Sequence, residues 1–381
     1  MKTYDFGSGR TDPASFPTEA LAEAAAAGVR EVGERFVLYP GDKGHEGLRR
    51  IMAQRESDRE GVPVDPDHLA LTNGSMQGVT LVAEALAKGP GDIVVTEELT
   101  YSGTIGAYKG LGLRLEGVAL DEHGMRVDSL EAKLESLHAA GTPPAFVYTL
   151  TTYQNPTGSV MPKSRRLELL EVARRYDVVV VEDNCYADVH FEGDKEPSLF
   201  ALDDYPNQVY IGSVSKILGP GIRQGYLLAP PAMLGRLLDR RFDGGNSMLG
   251  ASICAAYFKD RLWQHIEANN VLLKEKRDAV FAGLEEHVGD LCSWSKPVGG
   301  LFIWVGFPAD VDREKLWNLV QEQGILCARG ASFHIDRADI PYLRLAFGYP
   351  SLEVIREGIP VLADCIRQAQ VGEPALAVSA S

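Results

Sequence analysis

The segment DVVVVEDN at residues 177–184 constrains the fold more than any other feature of the chain. Four consecutive valines cannot alternate between a buried and a solvated face, so the strand that they predict must be covered on both faces. Strands of this kind occur in parallel or mixed sheets that carry helices on either side. The segment therefore predicts an α/β domain with a buried central sheet.

Other β-rich runs place this strand in a repeating pattern. They are HLALTN (68–73), GDIVVTEE (91–98), AFVYTL (145–150) and QVYIGS (208–213). Helix-like stretches such as SMQGVTLVAEALAKG and SRRLELLEVARRYD lie between them. This alternation predicts a doubly wound, mostly parallel α/β sheet.

The pattern changes after about residue 235. A long helical segment, LWQHIEANNVLLKEKRDAVFAGLEEHV, leads to LFIWVGF, a helix near KLWNLVQEQG, the run YLRLAFG and a closing helix, which predicts a smaller α+β domain. We predict a large domain at 35–235, a small domain formed by 1–34 with 236–370, and a flexible tail at 371–381.

Composition excludes several classes of protein. The formal net charge of −15 disfavours general nucleic-acid binding. The sequence contains no run of 18 apolar residues, so it predicts no membrane span. The segment MKTYDFGSGRTDP lacks the apolar core of a signal peptide. Five scattered cysteines without CxxC spacing, and histidines without metal-ligand spacing, predict a cytoplasmic protein with no disulfide framework and no metal.

In an open α/β sheet, ligands bind at the carboxyl ends of the strands, so we consider the residues that follow each run. Ser75 and Met76 open a helix after Gly74, where backbone amides suit a phosphate but a serine is also an ordinary N-cap. Tyr101 follows the next run and could stack on a flat ring or pack in the core. Asn155 lies in a turn, from which its amide could point into the cleft.

The last two runs deliver charged residues. Asp183 ends the valine strand, where a carboxylate could cap a helix or hold a protonated ring nitrogen, and Tyr186 follows it. In SVSKILGPGIRQGY, Lys216 lies among small and apolar residues, a setting that lowers the pKa of a lysine and makes it a better nucleophile.

Taken together, these side chains match the requirements of pyridoxal phosphate. The pyridine nitrogen needs an acid, the ring oxygen needs donors, the phosphate needs amides, hydroxyls and a cation, and the aldehyde needs an amine. Asp183 is the acid for the ring nitrogen, Asn155 and Tyr186 are the donors to the ring oxygen, and Lys216 is the amine. The candidates for the phosphate are Ser75, the Met76 amide, Ser213, Ser215 and Arg223.

The motifs QNPTG (154–158), VEDNCY (181–186) and SVSKILGPGIRQGY (213–226) make the chain resemble the fold-type I pyridoxal-phosphate enzymes, and within them the class I/II aminotransferases. It is most similar to the branch with 2-aminoadipate and kynurenine aminotransferases. The resemblance implies that Lys216 is the Schiff-base lysine and proton shuttle, and that Tyr101 stacks on the ring. It also implies a substrate-carboxylate arginine, Arg344, and a nearby backbone contact at Gly9.

The resemblance further implies a homodimer with shared active sites. Tyr39, in LYPGDKG, resembles the tyrosine that reaches the cofactor phosphate of a neighbouring subunit. Three departures from the family pattern stand out: Arg10 in GRTDP, the absence of flanking prolines in EELTYSG, and Arg329 in CARGASF. Arg10 and Arg329 would lie near the mouth of the site and favour an unusual or acidic substrate.

The leading functional prediction is transamination between an amino acid and a 2-oxo acid. The first alternative is a β-eliminating lyase or a decarboxylase or deaminase, including the oxidative kinds, which would use the same cofactor ligands. The second is a non-enzymatic effector domain of a transcription regulator, which the acidic charge and the lack of a basic winged-helix segment upstream disfavour.

Overall fold

The computed structural model of the chain describes residues 2–371. Its strands are β1 (Tyr4–Asp5), β2 (Leu69–Thr72), β3 (Ile93–Glu97), β4 (Arg114–Val118), β5 (Leu120–Asp121), β6 (Gly124–Met125), β7 (Phe146–Thr149), β8 (Val180–Asp183), β9 (Gln208–Ser213), β10 (Gly225–Leu228), β11 (Ser293–Trp294), β12 (Phe302–Gly306), β13 (Ile325–Leu326), β14 (Ala328–Arg329) and β15 (Tyr342–Ala346). Its α-helices are α1 (Thr18–Val32), α2 (Glu46–Glu60), α3 (Ser75–Leu86), α4 (Ser102–Gly110), α5 (Val127–Ala139), α6 (Lys163–Arg175), α7 (Leu199–Leu202), α8 (Pro231–Leu238), α9 (Met248–Phe258), α10 (Leu262–Val288), α11 (Arg313–Glu322) and α12 (Leu352–Ala369).

The central sheet has seven strands in the order β2-β10-β9-β8-β7-β3-β4. Strand β10 is antiparallel to both of its neighbours, and the other pairings are parallel. The predicted fold class, a mostly parallel α/β sheet, is therefore confirmed. Each of the five predicted β-rich runs contains a strand of this sheet.

The valine strand is buried on both faces, as its composition predicts. Val180 packs in one apolar cluster with Val147 and the helices α5 and α6, whereas Val181 packs in another cluster with Tyr148 and α3. Successive residues of a strand point to opposite faces, so the sheet needs apolar side chains at both positions. This burial places the polar residues that follow β8 at an edge of a rigid sheet.

A second, antiparallel sheet has the order β11-β12-β15-β14. It pairs Trp304 with Arg344 and Ala328 with Arg344 across adjacent strands. The predicted long helix is α10, with the same bounds as the sequence segment, and it packs against α12. This sheet brings Arg344 towards the edge of the central sheet.

The predicted domain boundaries remain a prediction, and the contacts favour a different division for two helices. Strand β1 pairs with β13, which keeps the first residues with the second sheet. Helices α1 and α9 pack against each other, and Leu21 of α1 and Cys254 of α9 share a cluster with Leu69 and Tyr210 of the central sheet. Apolar burial thus favours assigning α1 and α9 to the larger part.

Among residues 2–371, no helix combines the length and the apolar character needed to cross a bilayer. The predicted tail at 371–381 lies outside the described residues except for Val371, whose amide donates to the Asp310 carbonyl at 3.0 Å.

Candidate active site

Three largely buried ionisable side chains meet where the carboxyl edge of the central sheet faces the second sheet. Asp183 is the last residue of β8, Lys216 lies three residues after β9, and Arg344 is the central residue of β15. Asp183 and Arg344 are only 4% and 6% exposed. None of the three forms a salt bridge within the described residues, so each is held by neutral groups.

The Asp183 carboxylate is held by two neutral donors. The Tyr148 hydroxyl donates to Oδ2 at 2.6 Å, and the Cys185 thiol donates to Oδ1 at 3.0 Å. Burial raises the pKa of Asp183, while the two donors and the nearby Lys216 ammonium oppose that rise. A buried carboxylate of this kind suits a cationic ring nitrogen, because its remaining lone pairs lack a cation of the protein.

The Lys216 amine contacts the N-terminal segment at Gly9 and faces the ring of Tyr186. Nζ donates to the Gly9 carbonyl at 2.8 Å and lies 5.5 Å from the centre of the Tyr186 ring. Burial lowers its pKa, and the positive charge of Arg344 adds to that effect. A lowered pKa increases the fraction of neutral amine, which is the nucleophilic form.

Arg344 is positioned by two polar groups and two aromatic faces. Nη1 donates to Asn155 Oδ1 at 2.9 Å, and Nη2 donates to the Gly7 carbonyl at 2.8 Å. The guanidinium carbon lies 4.1 Å from the centre of the Phe302 ring and 4.8 Å from that of Phe333. Burial lowers the pKa of Arg344 to about 10, so it remains a cation at neutral pH.

A cradle for an anion lies at the N-terminus of α3. Gly74 precedes the helix with φ +77°, and a Cβ placed there would lie 2.6 Å from Nη2 of Arg223. Arg223 donates to the Asn73 carbonyl at 2.8 Å, and the Ser215 amide donates to Ser213 Oγ at 3.1 Å. Helix amides, hydroxyls and a guanidinium are the groups that bind phosphate.

Tyr101 and Tyr186 supply aromatic surface near these charges. Tyr101 is half-buried at the start of α4, and burial, with Asp183 second, raises the pKa of its hydroxyl. Tyr186 packs edge-on against Phe302, with 5.4 Å between ring centres. Burial raises the pKa of the Tyr186 hydroxyl well above its usual range, so that hydroxyl is a donor at neutral pH.

The residues of the site supply the space, the donors and the charges that pyridoxal phosphate and its substrate need. Gly74 leaves room that a side chain would fill, beside an arginine suited to a phosphate. Because Asn155 Oδ1 accepts from Arg344, its amide NH₂ group is left to donate into the cleft. The Arg344 Nε atom is buried and has no hydrogen-bond partner in the described part of the chain, as expected for a guanidinium that awaits a carboxylate.

Some predicted site residues do not join this group. Tyr39 is 87% exposed, and the exposed Arg10 donates to Ser8 Oγ at 2.6 Å while lying over the Tyr349 ring. Arg329 points away: its guanidinium lies 4.9 Å from the Trp317 ring, and it pairs with Leu343 instead of Arg344. Because adjacent strand residues face opposite sides, Arg329 lies on the face of β14 opposite to the one that Ala328 shares with Arg344. Its place near the mouth of the site stays a prediction.

Sequence reasoning missed four residues that shape the site. Tyr148 and Cys185 hold Asp183, and Phe302 and Phe333 cover Arg344. Cys185 stands inside the recognised motif VEDNCY, so its place beside Asp183 was a usable signal. Tyr148 and Phe302 lie in apolar runs whose residues give no sign of the face that they occupy, and Phe333 lies in the segment CARGASF beside Arg329.

Comparison with known proteins agrees with this geometry. The family model described as aminotransferase class I and II matches residues 3–359. The aromatic-amino-acid aminotransferase 1 of Thermococcus litoralis is 32% identical over 366 residues, covering 93% of this chain and 86% of that protein. The 2-aminoadipate transaminase of Thermus thermophilus is 31% identical, covering 95% of this chain and 89% of the relative.

A solved structure is equally similar. The multiple substrate aminotransferase from Thermococcus profundus superposes with a TM-score of 0.90 at 32% identity, covering 96% of this chain and 92% of that one. The chain therefore belongs to the class I and II aminotransferases and is a pyridoxal-phosphate-dependent transaminase. The relatives named here give no support to the eliminating, decarboxylating or non-enzymatic alternatives.

Proposed function

We propose that this transaminase uses Lys216 as the amine that binds the cofactor aldehyde, and Arg344 as the grip for the substrate α-carboxylate. The observation that carries the proposal is the meeting of Asp183, Lys216 and Arg344 at one sheet edge, each without an ionic partner among residues 2–371. Buried charges are normally paired, so a cation or an anion supplied by ligands completes each of them.

Each side chain has a distinct role in this proposal. Asp183 holds the ring nitrogen as a cation, and Tyr186 and the Asn155 amide donate to the ring oxygen. The bound cofactor supplies an electron-withdrawing ring that stabilises negative charge at the substrate Cα. Lys216 Nζ would hold the cofactor aldehyde and, as the free amine, would accept the substrate Cα proton and later return it.

The phosphate and the ring would be bound by the remaining candidates. The groups that would bind the phosphate lie at the start of α3 and in the turn after β9: Ser75, the Met76 amide, Ser213, Ser215 and Arg223. Tyr101, which precedes α4, would stack on the ring. The Gly9 carbonyl accepts a hydrogen bond from Lys216. Glycine is also the residue that fits at this position, because a Cβ there would lie 2.9 Å from the Phe302 ring. Arg10 is the remaining candidate for a second anionic group of the substrate.

A homodimer with shared sites is part of the proposal. Exposed apolar side chains cluster in two segments of the chain: Phe36, Val37, Leu38 and Tyr39, and Phe242 and Leu249. Gly244, between Phe242 and Leu249, lies against Tyr39, because a Cβ on Gly244 would meet the Tyr39 ring at 2.8 Å. An exposed apolar surface of this kind favours burial against a second copy.

The five cysteines are free, which supports the cytoplasm as the compartment.

A half-reaction tests the proposed chemistry. Cofactor-loaded protein is mixed with single amino acids in the absence of any oxo acid, and the cofactor and products are analysed by mass spectrometry. We expect pyridoxamine phosphate with the matching 2-oxo acid, which also identifies the amino donor. Unchanged pyridoxal phosphate together with ammonia, carbon dioxide or a cleaved side chain would contradict transamination.

A further inference from the structure

The Asp183 carboxylate is joined to a hydrogen-bonded chain that runs back into the core. Thr104 Oγ1 donates to the Tyr148 hydroxyl at 3.0 Å, and that hydroxyl donates to Asp183 Oδ2 at 2.6 Å. Thr104 and Tyr148 are 1% and 0% exposed, so water does not compete for these bonds. An ionised carboxylate can only accept, so the Tyr148 hydroxyl gives its single proton to Asp183 and accepts from Thr104.

The register of the sheet places Tyr148 at this carboxylate. Tyr148 of β7 is opposite Val181 of β8, and Asp183 lies two residues further along on the same face. Diagonal neighbours on one face of a sheet are within reach of an aromatic side chain. Tyr108 packs edge-on against the Tyr148 ring, with 5.7 Å between ring centres, and restricts its rotation.

We infer that Tyr148 is a positioning residue that keeps Asp183 ionised and directed at the cofactor ring nitrogen. The inference rests on the proposed function, because it needs Asp183 to be the partner of that nitrogen. A neutral donor favours the charged form of a carboxylate without neutralising it. An arginine in this place would compete with the ring nitrogen for the same anion, whereas a tyrosine leaves the negative charge for the ligand.

The electrostatic surroundings agree with this role. Burial raises the pKa of Asp183, and the bonds from Cys185 and Tyr148 oppose that rise. The titratable groups that face or surround this carboxylate are Tyr101, Tyr108, Tyr148, Cys185, Tyr186 and Lys216. Burial raises the pKa of the Tyr148 hydroxyl well above its usual range, so it stays protonated and continues to donate at neutral pH.

The chain offers a matched control. The Tyr108 hydroxyl is as deeply buried as that of Tyr148 but has no hydrogen-bond partner among the described residues. Tyr108→Phe therefore removes an equivalent hydroxyl from the same aromatic cluster without touching Asp183. A difference between Tyr148→Phe and Tyr108→Phe reports on the bond to Asp183 and not on loss of a buried oxygen.

The experiment measures the cofactor in the full-length protein. Apoprotein of each variant is titrated with pyridoxal phosphate labelled with ¹⁵N, and both the dissociation constant and the ¹⁵N resonance of the ring nitrogen are recorded. For Tyr148→Phe we expect affinity to fall about 10- to 100-fold, as for loss of a hydrogen bond to a charged group. We also expect the resonance to move from the protonated towards the unprotonated value, because a less anionic Asp183 holds the ring proton less strongly.

A milder variant covers the case in which Tyr148→Phe does not fold. Thr104→Val keeps the shape of the side chain and the Tyr148–Asp183 bond but removes the donor behind it. The resonance should move in the same direction by a smaller amount, since neighbouring hydrogen bonds polarise one another.

The outcomes separate this inference from the proposed function. The role of Tyr148 is overturned if wild-type protein binds the cofactor with a protonated nitrogen and Tyr148→Phe matches Tyr108→Phe. If Tyr148→Phe does not fold, a Thr104→Val protein that matches Tyr108→Phe overturns it. If Asp183→Asn leaves the wild-type resonance unchanged, Asp183 is not the partner, and the proposed function fails instead.

Discussion

Two clusters of buried charge lie close together in this molecule and are built in opposite ways. Behind the site, Arg55 and Arg59 of α2 form salt bridges with Asp188 and Glu56, all within the core. In the site, Asp183, Lys216 and Arg344 are held by a tyrosine, a thiol, an amide and two backbone carbonyls. The first cluster is electrostatically complete, whereas the second awaits its counter-charges.

The pKa values of the two aspartates show the difference. Burial alone would raise the pKa of Asp188, but Arg55 and Arg59 outweigh burial and hold it at about 2. Burial raises the pKa of Asp183, and the hydrogen bonds from Cys185 and Tyr148 and the charge of Lys216 oppose that rise without cancelling it. A paired charge stabilises the fold, while an unpaired charge that the surrounding structure tolerates is available to a ligand.

The two clusters are physically joined. The Arg55 guanidinium donates at 3.3 Å to the carbonyl of Ser213, the serine at the end of β9 that precedes Lys216. Asp188 follows Asp183 and Tyr186 along the same segment. The complete cluster thus fixes the backbone on which the incomplete one is displayed, in agreement with the need of a binding site for a rigid support.

Removing the lysine of the incomplete cluster should have the largest effect on activity. Lys216→Ala should lower kcat by at least about 10³-fold and abolish the visible absorbance of lysine-bound cofactor, because proton transfer and covalent attachment are both lost. Lys109→Ala is the control, since Lys109 also donates to a backbone carbonyl but lies outside the site. A variant that retains the wild-type spectrum would refute the assignment of Lys216.

The matched substitutions Asp188→Asn and Asp183→Asn should separate stability from function. Asp188→Asn leaves two arginines buried without that partner and should cost about 3–5 kcal/mol in the free energy of unfolding. Asp183→Asn removes a charge whose pKa is raised by burial, so the apoprotein should be equally or more stable at neutral pH. Urea denaturation of the two apoproteins measures both, and equal losses would contradict the comparison.

The pH dependence of stability follows from the same contrast. Asp188 has a folded pKa of about 2 against an ordinary value of 3.8, so its contribution is present above about pH 4 and is lost as the pH falls towards 2. The wild type should lose more stability across this window than Asp188→Asn does. Parallel curves for the two proteins would show that Asp188 is not the group responsible.

Arg344→Ala should weaken substrate binding more than folding. Loss of one partner of a buried bidentate pair costs about 2–5 kcal/mol, so KM for the amino acid should rise by about 30-fold or more. The free energy of unfolding of the apoprotein should change little, because Arg344 has no carboxylate partner among the residues that the structure describes. An unchanged KM would mean that another cation binds the carboxylate.

Arg329→Ala should have the smallest effect. Its guanidinium lies on Trp317 and away from Arg344, so KM and kcat should stay within about twofold of wild type, the range of exposed contacts. Arg10→Ala serves as the comparison, because Arg10 lies in the segment next to Gly9. A large effect of Arg329→Ala on KM would show that this strand presents its other face to the substrate.

The amino-acid sequence alone determined the architecture and supplied the candidates for the cofactor site. Valine-rich runs must be buried on both faces, so the alternation of such runs with helices predicts the parallel sheet and the edge where Asp183 and Lys216 meet. Two strands of the central sheet escaped prediction: β4 is an edge strand with exposed charge, and β10 is a four-residue strand directly after a turn.

Only the tertiary structure decided which side chains hold these charges. In the sequence, Tyr148 is indistinguishable from an ordinary core residue. The pairing of β7 with β8 places it diagonal to Asp183, to which it donates a hydrogen bond. Likewise, the register of β14 with β15, and not the sequence, turns Arg329 away from the site. Local patterns specify which residues are buried, but the partner of a buried charge depends on strand order and register, which bring together residues far apart in the chain.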